Sequence, residues 1–247
     1  MEGNYFMKSA NKWALVTGAS RGLGLGVAAE LCKLGFQTIL VGREPGLGQA
    51  GEKLSGDGFR NFHLLNCDVT NEAELLRVAI ETGKLTSHLD ILINNAGIFL
   101  DAGTNREKDP SFENVKPEVV LKTFVVNTLA PYVLTQALLP LLKKATAARI
   151  VNVSSGMGGI NEMGPGYPAY RMSKAALNAL TKNLSQEFKN SPIKINSVCP
   201  GWVRTAMGGP QATRDLPEGV ASILWAALLG EDGPTGGYFR DGKPLAW

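Results

Sequence analysis

The chain has 247 residues, 44% hydrophobic and 19% charged, with 25 Lys plus Arg against 22 Asp plus Glu and a formal net charge of +3. That length and apolar content suffice for a large buried core and exclude a disordered chain. A balance of +3 is too slight to point to nucleic acid or a membrane surface, so neither is expected as a partner. Glycine is in excess at 29 residues without a collagen repeat, which places it in tight turns and where backbone approaches a ligand. Cys32, Cys67 and Cys199 form no CxxC pair, so neither a disulfide framework nor a metal site is expected. Residues 1–11 lack the apolar stretch of a signal peptide and read as an N-terminal extension. The apolar run 119–142 is broken by Lys122, Asn127, Pro131, Gln136 and Pro140, which argues against a membrane span. A cytoplasmic, reducing environment is the expected setting.

In chain order, short β-branched runs alternate with longer helical patterns. Strands are predicted over 13–17, 37–42, 62–66, 89–93, 149–154 and 193–199, apolar enough to be buried on both faces. Helices are predicted near 22–34, 72–87, 117–144 and 167–189, and a last one from Pro217. In the 167–189 helix, Ala175, Ala176, Leu180, Leu184 and Phe188 recur at helical spacing as a core or subunit-contact face. The alternation predicts one α/β domain over 1–247: a doubly wound Rossmann sheet of about seven parallel strands with helices on both faces. Its ligand belongs beyond the carboxyl ends of the strands.

The first such end reads Thr17-Gly18-Ala19-Ser20-Arg21-Gly22-Leu23-Gly24. Glycines between a strand and a helix let backbone approach a diphosphate where amides and dipole favour negative charge. The second strand ends in Arg43, which can meet a 2′-phosphate where an NAD enzyme carries a carboxylate. Arg21 adds a second charge, and Glu44 is placed to cap the next helix or bond a ribose. NADP(H) is therefore the expected cofactor.

Tyr170 and Lys174, four apart on a predicted helix, share a face. An ammonium about 4 Å from a phenol is worth roughly 4 kcal/mol at an effective dielectric near 20, or about 3 pH units of acidification. Ser154 and Ser155 close the fifth strand and point to opposite faces.

With Asn94-Asn95-Ala96-Gly97, Asn127, Ser155, the Tyr170/Lys174 pair and Pro200-Gly201 followed by Thr205, the chain resembles the short-chain dehydrogenase/reductase family from about residue 12 to 247. The resemblance implies an oxidoreductase moving hydride reversibly between NADPH and a ketone or aldehyde, with Tyr170 as acid, Ser155 orienting the carbonyl oxygen, and Lys174 lowering the phenol's pKa and holding the ribose. Asn127 is expected to bend its helix and anchor a water relayed to Lys174. The resemblance selects Ser155 over Ser154 and implies a short insertion within 156–168. Asp68 is expected at the adenine, with the N-cap of the next helix as its other reading, and Val69 is expected to pack on the base. Asn94, Ala96 and Gly97 are expected along the ribose side, with Asn95 supporting the turn. Pro200, Gly201, Val203 and Thr205 are expected at the nicotinamide.

Met157, Met163, Tyr167, Trp202 and Met207 are candidate pocket liners for bulky apolar or aromatic carbonyls. The short 205–217 segment with Gly208-Gly209-Pro210 is expected to leave the site open and mobile. The rivals are an epimerase or dehydratase on this fold, disfavoured by the short stretch after Lys174, and a non-catalytic NADP(H)-sensing protein, disfavoured by the intact Ser, Tyr and Lys. Residues 233–240 resemble the family's final strand. Monomer, homodimer and homotetramer stay open.

Overall fold

The computed structural model describes residues 11–102 and 111–247, so the expected extension lies outside the described residues save for Asn11. The strands are β1 (Trp13–Thr17), β2 (Gln37–Gly42), β3 (Phe62–Asn66), β4 (Ile91–Asn94), β5 (Arg149–Val153), β6 (Lys194–Val198), β7 (Tyr238–Arg240) and β8 (Lys243–Pro244). The helices are α1 (Gly22–Lys33), α2 (Gly46–Gly56), α3 (Glu72–Leu85), α4 (Pro117–Phe124), α5 (Ala130–Leu142), α6 (Pro168–Glu187) and α7 (Leu216–Ala227). The sheet order is β3-β2-β1-β4-β5-β6-β7-β8, parallel throughout except for the β7–β8 hairpin. It is the doubly wound α/β arrangement, with the order reversing between β1 and β4.

Alternation along the central strands feeds two cores. Ala14 and Val16 of β1 and Ile91 and Ile93 of β4 pack with α1, α2 and α7. Leu15 and Leu92 face the other way, toward α3 and α5. On α5, Leu134, Leu138 and Leu142 recur every four residues and are buried, each contributing about 2 kcal/mol. That face puts the long apolar stretch against the sheet.

Several elements depart from the sequence expectation. Among the described residues the sheet has eight strands, because a two-residue strand after the Asp241-Gly242 turn pairs back on β7. β3 is an edge strand and half-exposed rather than buried on both faces. α2 escapes the periodicity because Gly46, Gly48, Gly51 and Gly56 dilute its pattern; burial of Leu47, Ala50 and Leu54 holds it together. The single 117–144 helix is two helices joined by a π-helical turn, Val125–Leu129, with Asn127 inside it. The expected apolar face of α6 is only partly buried. Its buried stripe runs instead through Ala169, Tyr170, Ser173, Lys174, Leu177, Asn178 and Thr181, because those polar groups bond into β5 and its neighbours.

Candidate active site

At the end of β1, Gly18 and Gly22 have φ of +64° and +56°, where a side chain would be strained. A Cβ on Gly24 would lie 2.3 Å from the Gly18 carbonyl oxygen, so only glycine lets α1 start this close to the loop. α1 begins with no side-chain cap and no acidic residue in its first turn. The helix terminus is thus left to an anion from outside, and this cradle fits a dinucleotide's diphosphate. Leu23 packs behind the loop, and Ser20 Oγ sits against Gly42 at the end of β2.

The Thr17 hydroxyl accepts the Asn95 and Ala96 N–H groups, each at 3.0 Å, and Asn95 Nδ2 donates to the Thr17 carbonyl at 2.8 Å. Asn95 thereby locks the β4 turn onto the glycine loop, as expected of it. Asn94, at the end of β4, turns its side chain into the protein. It is buried, and its Nδ2 donates to Thr135 and Asn152, tying β4 to α5 and β5. Val69 and Ala96 line one small cavity beside it.

Arg43 is exposed and stands 3.7 Å from Asp68. Asp68 accepts the Thr70 N–H and hydroxyl; these bonds, with Arg43 close by, hold its carboxyl below the usual range. Asp68 does not cap the following helix, because Asn71 accepts the Ala73 and Glu74 N–H groups there. Glu44 takes its capping alternative, accepting the Gly48 N–H of α2 at 3.0 Å.

α6 carries Tyr170 and Lys174. Tyr170 is buried, with Phe99 stacked on its ring at 4.2 Å and Tyr167 edge-on to Phe99 at 5.0 Å. Lys174 Nζ lies 5.8 Å from the centre of the Tyr170 ring and donates to the Val153 carbonyl at 2.8 Å. Burial pushes Lys174 down to about 8, partly opposed by Cys199.

Asn127 Oδ1 accepts the Ile98 N–H at 2.8 Å, and its Nδ2 donates to the Ile98 carbonyl and the Ser173 hydroxyl. Both amide hydrogens are spent on protein, so a water at Asn127 would have to bind a carbonyl oxygen. A Cβ on Gly97 would stand 3.4 Å from Asn127 Oδ1 and 3.5 Å from Lys174 Nζ, so these three positions converge.

The two serines separate as the strand pleat requires. Ser154 is buried, with its hydroxyl 3.5 Å from the Lys174 carbonyl. Ser155 is half-exposed, and its Oγ accepts the Met157 N–H at 3.2 Å. Tyr238 of β7 donates to the Ser155 carbonyl, and Cys199 Sγ accepts the Gly156 N–H.

After β6, Gly201 has φ +83°. Thr205 reaches the glycine loop, its Cγ2 lying 3.6 Å from where a Gly22 Cβ would be. Val203 is buried against Leu23 and Gly219, behind the loop. The expected open, mobile segment after Thr205 is instead laced to itself. Val203 bridges Arg214, Trp202 Nε1 donates to the Gly208 carbonyl, and Thr205 accepts the Gly208 N–H. Of the candidate liners, Tyr167 and Met157 touch the site's own residues, whereas Met163, Trp202 and Met207 are exposed. Sequence reasoning missed Phe99, Asp101 and Tyr238. An aromatic two residues past Gly97 was the one available signal.

The chain matches the short chain dehydrogenase family across residues 12–215. It is 31% identical to carbonyl reductase (NADPH) 1 of Macaca fascicularis, over 98% of this chain and 100% of that protein. It is 33% identical to oxidoreductase UcpA of Salmonella typhimurium, over 88% of this chain and 79% of that one. The NADPH-bound carbonyl reductase from chicken fatty liver superposes with a TM-score of 0.84 at 32% identity, covering 96% of this chain and 99% of that one. Carbonyl reductase Sniffer of D. melanogaster gives 0.84 at 35% identity, with the same coverage.

Proposed function

The chain belongs to the short-chain dehydrogenase family of oxidoreductases, which use NAD(P)(H), and on that premise we propose that it reduces ketones and aldehydes with NADPH, reversibly, with bulky apolar or aromatic carbonyls as the preferred class. The observation that carries the reading is the convergence of Lys174, Asn127 and Gly97 beside Tyr170, at the end of the strands that also present the glycine loop. A reduced nicotinamide supplies the hydride when bound. Tyr170 gives its proton to the carbonyl oxygen as negative charge develops there. The Ser155 hydroxyl, on the open side of β5, donates to the same oxygen, orienting it and stabilising its charge. Lys174, held by its bond to the Val153 carbonyl, favours the phenolate left behind.

The preference for NADPH rests on Arg43, just past β2, and Arg21, within the glycine loop; of the acids nearby, Glu44 is engaged by the Gly48 N–H and Asp68, past β3, by Thr70. The relatives named for NADPH support it. Aromatic groups at the site, Phe99 and Tyr167, support apolar substrates. The test is cofactor consumption over a panel of aromatic, aliphatic and small polar carbonyls, by wild type and by Arg43→Ala. Aromatic ketones should turn over fastest, and Arg43→Ala should raise KM for NADPH about tenfold or more, the scale of losing a charged bidentate contact, while NADH changes little. Equal effects on both cofactors, or turnover of a single small polar carbonyl only, would reject it.

A further inference from the structure

We infer that Asp101 is a positioning residue for Tyr170, holding the first turn of α6 from outside the helix. The inference rests on the reading of Tyr170 as the proton donor. Asp101 lies in a single 3-10 turn, Leu100–Ala102, a few residues past the Asn95 turn. It is 5% exposed, and its Oδ2 accepts the Tyr170 backbone N–H at 3.1 Å. That amide belongs to the first turn of α6, too early to reach a helical carbonyl four residues back.

The helix does not cap itself. Its N-cap, Tyr167, has φ +54° and no side-chain capping bond, and Pro168 follows with no N–H to offer. The preceding residues, 159–167, form neither helix nor strand and are mostly exposed. Arg171 folds that stretch back on α6 by donating to the Gly166 and Pro165 carbonyls, but this bond is local. From Lys174 onward the helix is tied to the sheet through Val153 and Asn152. Asp101 ties the turn before it, the one that bears Tyr170.

Two further observations set this carboxylate apart from an ordinary cap. Phe99, two residues earlier, stacks on the Tyr170 ring, so one short segment grips both the backbone and the side chain of the same residue. Asp101 Oδ1 is buried with no hydrogen-bond partner among the described residues. A buried, half-satisfied carboxylate is a cost to stability. Its retention is understandable where the helix terminus and the placement of Tyr170 offset that cost.

The experiment compares kcat, NADPH affinity by fluorescence titration and melting temperature for wild type, Asp101→Ala and Asp101→Asn, with Tyr170→Phe as control and an aromatic ketone as substrate. Asp101→Ala should lose about tenfold or more in kcat while the NADPH Kd stays within about twofold, a split that general destabilisation does not produce. Asp101→Asn keeps an acceptor oxygen and should retain at least about half of wild-type kcat. An Asp101→Ala enzyme with unchanged kcat, a parallel loss of cofactor binding, or an Asp101→Asn enzyme as impaired as the alanine variant would overturn the assignment. If Asp101→Ala does not fold, Asp101→Asn decides alone by the same limit. A Tyr170→Phe enzyme that still turns over would overturn the underlying reading and this inference with it, whereas an inactive Tyr170→Phe beside an unimpaired Asp101→Ala overturns this inference alone.

Discussion

Lys174, placed beside Tyr170 in the proposed reaction, carries a cost in stability. Burial lowers its pKa from 10.5 to about 8. The unfolded chain therefore binds the proton more tightly than the folded one between about pH 8 and pH 10.5. Stability on this account is lowest below pH 8 and rises as pH climbs through that window. The shift corresponds to about 3 kcal/mol at neutral pH. Replacing Lys174 by methionine removes that penalty but leaves the Val153 carbonyl without its donor, at a cost of about 1 kcal/mol. The expected net is a melting temperature several degrees higher for Lys174→Met at pH 7, by about 2 kcal/mol, together with severe loss of turnover. The thermal gain should shrink as pH approaches 10; calorimetry across pH and a carbonyl assay check both parts. The Tyr170–Lys174 spacing was legible in the sequence, because four residues on a helix always share a face. The burial was not, because it depends on where β5 lies.

At the scale of elements, the end of β5 makes a sharp distinction between neighbours. The pleat turns Ser154 into the protein beside α6 and leaves Ser155 half-exposed on the site side. Ser155→Ala should cut kcat by about 100-fold or more, as loss of a donor to the developing oxyanion does, whereas Ser154→Ala should leave kcat within a few-fold. Steady-state kinetics of the two variants decides it, and the reverse pattern would exchange their roles. The alternation that separates these serines was readable from sequence. A bend at Asn127 was expected from the family resemblance alone; its π-helical form did not show in the periodicity, because an extra residue in a helical turn leaves the apolar pattern nearly unchanged. α2 escaped the periodicity, though Glu44 offered a cap for it, for another reason: its glycines weaken the local signal, and tertiary burial of Leu47 and Leu54 supplies what propensity lacks.

For the molecule as a whole, five strand ends converge on one edge of the sheet. β1 brings the glycine loop, β2 brings Arg43, β4 the Asn95 turn, β5 Ser155 and β6 the Pro200–Gly201 turn. That layout could be read in advance because each motif directly follows an apolar run, and parallel strands send all such ends to the same side. The opposite end is built for cohesion: Arg149, buried at the start of β5, donates to the Leu229, Ala148 and Pro192 carbonyls. What stayed hidden are Asp101 and Tyr238, which nothing in their spacing marks until the sheet brings them together; Phe99 was marked only by its place two residues past Gly97. In the proposed reaction the phenol of Tyr170 delivers the proton. Single-turnover reduction of an aromatic ketone by NADPH, compared between wild type and Tyr170→Phe, decides this. Cofactor binding should be normal in the variant and its rate lowered by about 100-fold or more; reduction at the wild-type rate without that hydroxyl would refute the role.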